Sequence, residues 1–191
     1  MSVGLQLTLA ELDEMVARGA FAALQPRRFE LIHGELREMA PIGPDHADAT
    51  DWLNAWTFDL PIKSKIRVRI QQPIRIEALD SQPEPDVVWC KNKKYPHHPT
   101  PKDIFLVIEV ADETVKFDSG EKAEMYAAGG IKDYWVVNLP DRMIAVFRKP
   151  KGDHYQHRRT YAVGETVSPL AFPQVELNVR DLFTLATFFG K

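Results

Sequence analysis

The feature that most constrains the fold is a nearly continuous apolar run at residues 104–110, which only Glu109 interrupts. Such a run is typical of a strand covered on both faces. A helix that Asp118 can cap is predicted next, and residues 134–137 form a second buried strand. Strand, helix and strand in this order predict a parallel βαβ unit with a right-handed crossover.

Further elements are predicted around this unit. A capping box at Thr8 and Glu11 begins one helix, and Gly43-Pro44 begins a second. Strands are predicted at 28–32, 35–39, 66–70, 74–76, 86–89, 143–148 and 155–161, and a terminal amphipathic helix at 179–189. The 191 residues, 45% of them hydrophobic, suit one domain with a sizeable core. We therefore expect a single α/β domain over residues 1–191.

Composition restricts the class of protein. Cys90 is the only cysteine, which excludes an intrachain disulfide and a cysteine-rich zinc site. The N-terminal sequence lacks the basic flank and apolar stretch of a signal peptide, and no apolar run is long enough to cross a membrane. We expect a soluble cytoplasmic protein without membrane association. Its formal net charge of −3 means that any DNA contact needs locally concentrated positive charge.

Glu109 is the unusual residue of the central strand. Strand geometry predicts that Phe105, Val107 and Glu109 share one face. A carboxylate on such a face is costly unless a charge, a metal or hydrogen-bond donors compensate it. Taken alone, Glu109 fits a salt bridge at the strand edge equally well as a functional group that reaches a cleft.

Asp86 becomes informative when it is paired with Glu109. It follows Glu84-Pro85 at the start of a strand, where an Asp is also common as a turn residue. Two carboxylates on adjacent strands supply the hard oxygen ligands that Mg²⁺ or Mn²⁺ prefers. The pair therefore indicates a divalent metal site.

Lys122 lies one turn into the helix that follows Glu109. Met125 and Tyr126 are three and four residues further on, so they share its helix face. If these two residues pack on the sheet, Lys122 points inward or along the rim. The alternative is a lysine that lays its stem over apolar surface and keeps its amine in water.

Together, these segments resemble the Uma2-like endonuclease family, a branch of the PD-(D/E)XK superfamily. The resemblance runs from residue 28 to about residue 183. Its matching positions are 29–32, 34–36, 44–46, Gln71, Pro73, 84–86, 108–112, Asp118, Lys122, Tyr126 and 130–135. It implies a three-layer restriction-endonuclease-like α/β fold, with a mixed central sheet flanked by helices. It also implies an endonuclease that needs Mg²⁺ or Mn²⁺ and acts on DNA.

The resemblance assigns roles to particular residues. It implies Asp86 and Glu109 as the motif carboxylates that hold the metal, helped by the Val110 carbonyl. The superfamily usually places its lysine two residues after the Glu, where this chain has Ala111. The Uma2-like branch supplies that lysine from the next helix, and Lys122 matches the relocated position.

Three accessory residues follow from the same resemblance. Glu30 matches an acidic family position that adds a ligand through water, or it pairs with Arg27 or Arg28. His46 matches a position near the cleft, or it is a helix N-terminal residue without a role. Gln71 matches a third position of this set.

A basic stripe is the candidate DNA contact. Lys63, Lys65, Arg67 and Arg69 recur with period two, so all four share one face if residues 63–70 are extended. Such a stripe neutralises phosphates or protects an exposed edge strand.

Three overall functions stay open from the sequence, the third being an enzyme that acts on RNA or on a small phosphodiester. The first is a DNA endonuclease, for which a homodimer would suit double-strand cutting. The second is a catalytically decayed nuclease domain that binds DNA or a protein partner, an alternative that the displaced lysine and the acidic net charge keep open.

Overall fold

A six-stranded mixed sheet forms the centre of the molecule, seen in a computed structural model that describes residues 5–184. The strands are β1 Phe29–Ile32, β2 Glu35–Glu38, β3 Ile66–Ile70, β4 Val87–Lys91, β5 Ile104–Ala111, β6 Asp133–Asn138, β7 Met143–Lys151, β8 His154–Ala162, β9 Thr166–Val167 and β10 Leu177–Asn178. The helices are α1 Leu9–Ala17, α2 Pro44–Asp59, α3 Val115–Ser119, α4 Glu121–Ala128 and α5 Val179–Thr184. The central sheet has the order β3-β4-β5-β6-β7-β8, and only β5 and β6 run parallel among these neighbours.

The parallel βαβ unit is confirmed, but its helix is divided. Gly120 separates α3 from α4, so Asp118 lies inside α3 instead of capping one long helix. A Cβ at Gly120 would come within 2.8 Å of the Lys116 carbonyl oxygen. The bend therefore depends on glycine, and it orients the segment that carries Asp118 and Lys122.

Helices cover both faces of the sheet. On one face, Trp52 and Trp56 of α2 pack toward Trp89, with 5.3 Å between the ring centroids of Trp56 and Trp89. On the other face, Tyr126 of α4 packs against Tyr134 at 4.8 Å between centroids. The predicted three-layer α/β architecture with a mixed central sheet is thus confirmed.

A separate hairpin brings the N-terminal part of the chain to the sheet. β1 and β2 pair through a turn at His33 and Gly34, both of which have a positive φ. Leu31 joins this hairpin to the main body through a bridge to Gln82 and packs against α1. The hairpin thereby delivers Glu30, the neighbour of Leu31, to a buried position.

Several local expectations were wrong. Residues 74–76 form no strand; Ile76 makes only an isolated bridge to Ser81. Phe105 does not share the face of Glu109, because the register shifts between Trp89 and Cys90, and its ring contacts Phe172 on the α2 side.

The C-terminal helix was predicted for residues 179–189. Its first part, α5, ends at Thr184 within the described residues, and positions 185–189 lie outside them. None of the helices in the described part of the chain is both long and apolar enough to span a membrane.

Candidate active site

Asp86 and Glu109 are brought into one cleft by the pairing of β4 with β5. Val87 pairs with Ile108, so Asp86, just before β4, lies beside the end of β5. The Val110 amide donates a hydrogen bond of 2.8 Å to Asp86 Oδ2. Both carboxylates line a cleft of about 470 Å³, and both are almost fully buried.

Glu109 accepts two hydrogen bonds on one oxygen. Lys122 Nζ donates to Glu109 Oε1 at 3.1 Å, and the Tyr126 hydroxyl donates to the same atom at 2.8 Å. Lys122 is only 5% exposed, so the alternative of an amine extending into water is wrong. The prediction that Lys122 points inward beside Met125 and Tyr126 is confirmed.

Lys122 is surrounded by acidic groups. Its Nζ lies 3.2 Å from Glu30 Oε2 and 4.0 Å from Asp118 Oδ1, in addition to the Glu109 contact. Burial favours the neutral amine, but these carboxylates outweigh burial and raise the pKa of Lys122 above its ordinary value. The amine therefore stays protonated in the closed cleft.

Glu30 contributes to this group rather than to a surface ion pair. Arg27 pairs with Glu38, and Arg28 pairs with Glu84 at 2.7 Å, so the expected pairing of Glu30 with either arginine is wrong. Glu30 Oε2 is buried and has no hydrogen-bond partner in the described residues beyond its ion-pair contact with Lys122.

The cleft carries an excess of negative charge. Burial raises the pKa of Glu109, an effect that Lys122 opposes and that Asp86, Asp118 and Glu30 reinforce. Burial likewise raises the pKa of Asp118, against the opposing charge of Lys122. Three carboxylates lie within 4.0 Å of the one buried ammonium, and Asp86 adds a fourth to the cleft lining, which makes this cleft attractive to a further cation.

The other side of Asp86 is held by two accessory residues. His46 Nε2 lies 3.1 Å from Asp86 Oδ2, and Gln71 Nε2 donates to Asp86 Oδ1 at 3.3 Å. His46 sits in the first turn of α2, which directs its ring at the cleft. Burial alone would lower the pKa of His46, but the hydrogen bond and charge of Asp86 raise it. All three accessory positions, Glu30 included, thus lie at the cleft.

The donor set fits a partly hydrated divalent cation. Mg²⁺ keeps several waters and is usually bound through one or two carboxylates, which Asp86 and Glu109 can supply. Within residues 5–184, no group of three or more His, Cys, Asp or Glu side chains is arranged to hold a metal. Val110 contacts Asp86 through its amide, and a ligand role for its carbonyl stays a prediction.

Two residues of the cleft were not assigned a role from the sequence. Tyr126 bonds Glu109 directly, and the available signal was its position four residues after Lys122 on the same helix face. The sequence predicts Asp118 as a helix cap, whereas in the structure it lies buried beside Lys122, four residues further on.

Only half of the predicted basic stripe lies on a strand. Residues 63–65 form a turn before β3, so the expectation that Lys63 and Lys65 extend the stripe is wrong. Arg67 and Arg69 pair opposite Cys90 and Val88, which places them on the same sheet face as the core packed under α4. That face is also the one from which Glu109 projects toward α4.

Comparison with known proteins identifies the fold and the family of the chain. A crystal structure described as "a putative nuclease belonging to DUF820 from Anabaena variabilis ATCC 29413" superposes with a TM-score of 0.70 at 13% identity, covering 93% of this chain and 98% of that one. This likeness establishes the fold. No curated protein sequence matches the chain. The family profile described as "Uma2: Putative restriction endonuclease" matches residues 18–180, and the chain therefore belongs to the Uma2 family.

Proposed function

We propose that residues 1–191 form one nuclease domain that hydrolyses DNA phosphodiester bonds with the help of Mg²⁺ or Mn²⁺. The observation that carries this proposal is the contact of 3.1 Å between Lys122 Nζ and Glu109 Oε1, in the cleft that also contains Asp86. Two carboxylates and a lysine in one cleft are the groups that metal-assisted phosphodiester hydrolysis needs. Membership of the Uma2 family supports the nuclease class.

Asp86, Glu109 and the Val110 carbonyl are the groups that would hold the metal. Mg²⁺ or Mn²⁺, when bound, would polarise the phosphate and lower the pKa of a water molecule that it binds. The Val110 amide fixes the orientation of Asp86, while Tyr126 fixes Glu109. Lys122 orients the attacking water or stabilises the negative charge that develops on the phosphate.

Three accessory residues contact Asp86 or Lys122 and fix their orientation. His46 and Gln71 each contact a different oxygen of Asp86, which holds that side chain in one rotamer. Glu30 lies close enough to Lys122 to share its charge and to contribute through a water. These contacts support a preorganised site.

A second candidate is a decayed nuclease domain that binds DNA or a protein partner without cutting. It is supported by Ala111, which stands where the superfamily usually places its lysine. A domain of this kind would bind no divalent cation in the cleft.

Calorimetry with Mn²⁺ separates the two candidates. We expect the wild type to bind Mn²⁺ and both Asp86→Asn and Glu109→Gln to weaken binding, because each removes an anionic oxygen. Asp153→Asn is the matched control, since that side chain is 83% exposed in the β7–β8 turn. Equal Mn²⁺ affinity in all four proteins would remove Asp86 and Glu109 as ligands.

Cleavage of supercoiled plasmid with Mg²⁺ or Mn²⁺ then tests the activity itself. Linear product would favour a homodimer with two clefts, whereas nicked product alone would favour a single cleft acting on one strand. Metal binding without cleavage of any duplex DNA would contradict the endonuclease proposal.

A further inference from the structure

A second depression lies on the α4 side of edge strand β3, next to the carboxylate cleft. Its volume is about 360 Å³. Its charged lining has one carboxylate, Asp13, against three arginines and two imidazoles: Arg67, Arg69, Arg75, His97 and His98. This composition differs from the acidic cleft, and it indicates an anion as the natural occupant.

Most of the positive charge in this pocket is uncompensated. Arg75 is neutralised by Asp13, with 2.9 Å between Nη1 and Oδ2. Arg67 donates only to the Lys93 carbonyl, and Arg69 contacts only His98, so neither arginine has a carboxylate partner among the described residues. Two guanidinium groups are therefore available to an incoming anion.

Arg69 has the strongest unmet need for a hydrogen-bond acceptor among these groups. Its Nε is buried without a hydrogen-bond partner in the described part of the chain, and its Nη2 lies 3.3 Å from His98 Nδ1. Burial, reinforced by Arg67, lowers the pKa of Arg69, and burial with Arg69 and Arg75 lowers that of His98. A buried guanidinium nitrogen without an acceptor is costly in the free protein, and a phosphate would satisfy it through charge-assisted hydrogen bonds.

One neighbouring groove borders both the pocket and the candidate active site. Arg69 pairs with Val88, two residues along β4 from Asp86, which corresponds to roughly 7 Å of strand. A separate groove of about 570 Å³ runs beside α1 and the β1–β2 hairpin. Gln71 lines both the cleft and this groove, and His98 lines both the groove and the basic pocket. A polynucleotide strand could therefore occupy the cleft and the pocket together.

We propose that Arg67, Arg69 and His98 form a phosphate-binding subsite for the nucleic-acid backbone, adjacent to the phosphate that is cut. The position of this subsite beside the phosphate that is cut rests on the proposed nuclease function. Its preference for phosphate follows from the guanidinium groups themselves. It replaces the four-residue stripe, because Lys63 and Lys65 lie in the turn outside this pocket.

The test measures DNA binding without cleavage. A fluorescein-labelled duplex is titrated in EDTA, and its anisotropy is followed at several salt concentrations. We expect Arg69→Gln to weaken binding about tenfold, since it removes a charge-assisted contact. The slope of log affinity against log salt should fall by about one unit. Arg67→Gln, on an exposed side chain, should act in the same direction without disturbing the core.

The matched control is Lys151→Gln, at the end of β7 and far from β3 across the sheet. It should leave affinity and slope unchanged. Wild-type affinity in both arginine variants, or wild-type protein that fails to bind duplex up to roughly 100 μM, would overturn the subsite. Plasmid cleavage with Mg²⁺ is scored separately, so that weakened binding without cleavage rejects only the proposed endonuclease function, and cleavage with unaltered binding rejects only the subsite.

Discussion

Lys122 Nζ and Glu109 Oε1 lie 3.1 Å apart although the residues are 13 positions apart, and both side chains are at most 6% exposed. This contact joins α4 to β5 across the bend at Gly120. It explains how the cleft has a lysine when Ala111 occupies the position two residues after Glu109. Ala111 is fully buried in the core beneath α4, where its small side chain leaves the approach from the helix open.

Lys122→Met should reduce DNA cleavage roughly a hundredfold or more, because it removes the group that stabilises charge on the phosphate. It should also lower stability, since Glu30, Glu109 and Asp118 lose their shared counter-ion. Single-turnover cleavage of plasmid, at a temperature where the variant is folded, measures the first effect. Lys116→Met on the exposed side of α3 is the control.

Lys122→Arg sharpens the same test. A planar guanidinium does not reproduce a compact ammonium in a closed site, so we expect incomplete recovery of the rate. Wild-type cleavage by Lys122→Met would show that the relocated lysine has no part in the reaction.

Tyr126→Phe tests whether Glu109 must be held by its hydrogen bond. The change removes only the hydroxyl that donates to Oε1 at 2.8 Å, so Mn²⁺ affinity should fall roughly tenfold, as for a lost outer-shell partner. Tyr134→Phe is matched to it, because the Tyr134 hydroxyl is also buried but donates to the Asp118 carbonyl. If both variants bind Mn²⁺ equally well, Tyr126 serves only the packing of α4.

The centre of this fold could be predicted because local pattern and burial agree there. The apolar run of β5 predicts a strand covered on both faces, and Glu109 within it requires a compensating group. Helix periodicity places Lys122 on the face of Met125 and Tyr126, and both pack on the sheet. With that face buried, the Lys122 amine contacts the Glu109 carboxylate.

Other features depend on contacts that sequence periodicity does not encode. Phe105 leaves the expected face because of a register shift against β4. Lys63 and Lys65 match the alternation of a strand but lie in the turn that follows α2. Asp118 is typical of a helix cap, yet its carboxylate accepts from Thr114 at 2.6 Å and faces Lys122. Only the Phe105 case depends on a tertiary contact; the turn at Lys63 and Lys65 is closed by local backbone hydrogen bonds, and Asp118 contacts residues one helical turn away on either side.

Gly120→Ala tests the bend that orients the two short helices. The added Cβ would meet the Lys116 carbonyl oxygen at 2.8 Å, so we expect the free energy of unfolding to fall by about 1–3 kcal/mol. Denaturant titration measures this loss. Gly43→Ala is the comparison: a Cβ there meets no atom within 4 Å, so its loss should be limited to the poorer N-cap of α2 and be smaller than that of Gly120→Ala. Equal stability of the two variants would mean that α3 and α4 tolerate another bend.

Asp118 lies among the acidic side chains of the cleft, and Asp118→Asn should stabilise the protein at pH 8. Burial raises the pKa of Asp118 above its ordinary 3.8, although Lys122 and the Thr114 hydrogen bond oppose the rise. The native state therefore binds the proton of Asp118 more tightly than the unfolded chain does. Protonation of Asp118 stabilises the native state fully below pH 3.8, and this stabilisation is lost as the pH rises through the pKa of Asp118 in the native state. Asparagine cannot ionise, so the variant avoids the cost of a buried charge at high pH. Its melting temperature should exceed that of the wild type by a few degrees at pH 8, and the difference should shrink toward acid pH. Asp153→Asn, which changes an exposed carboxylate, is the matched control. A less stable Asp118→Asn at pH 8 would mean that Lys122 needs this carboxylate as a partner.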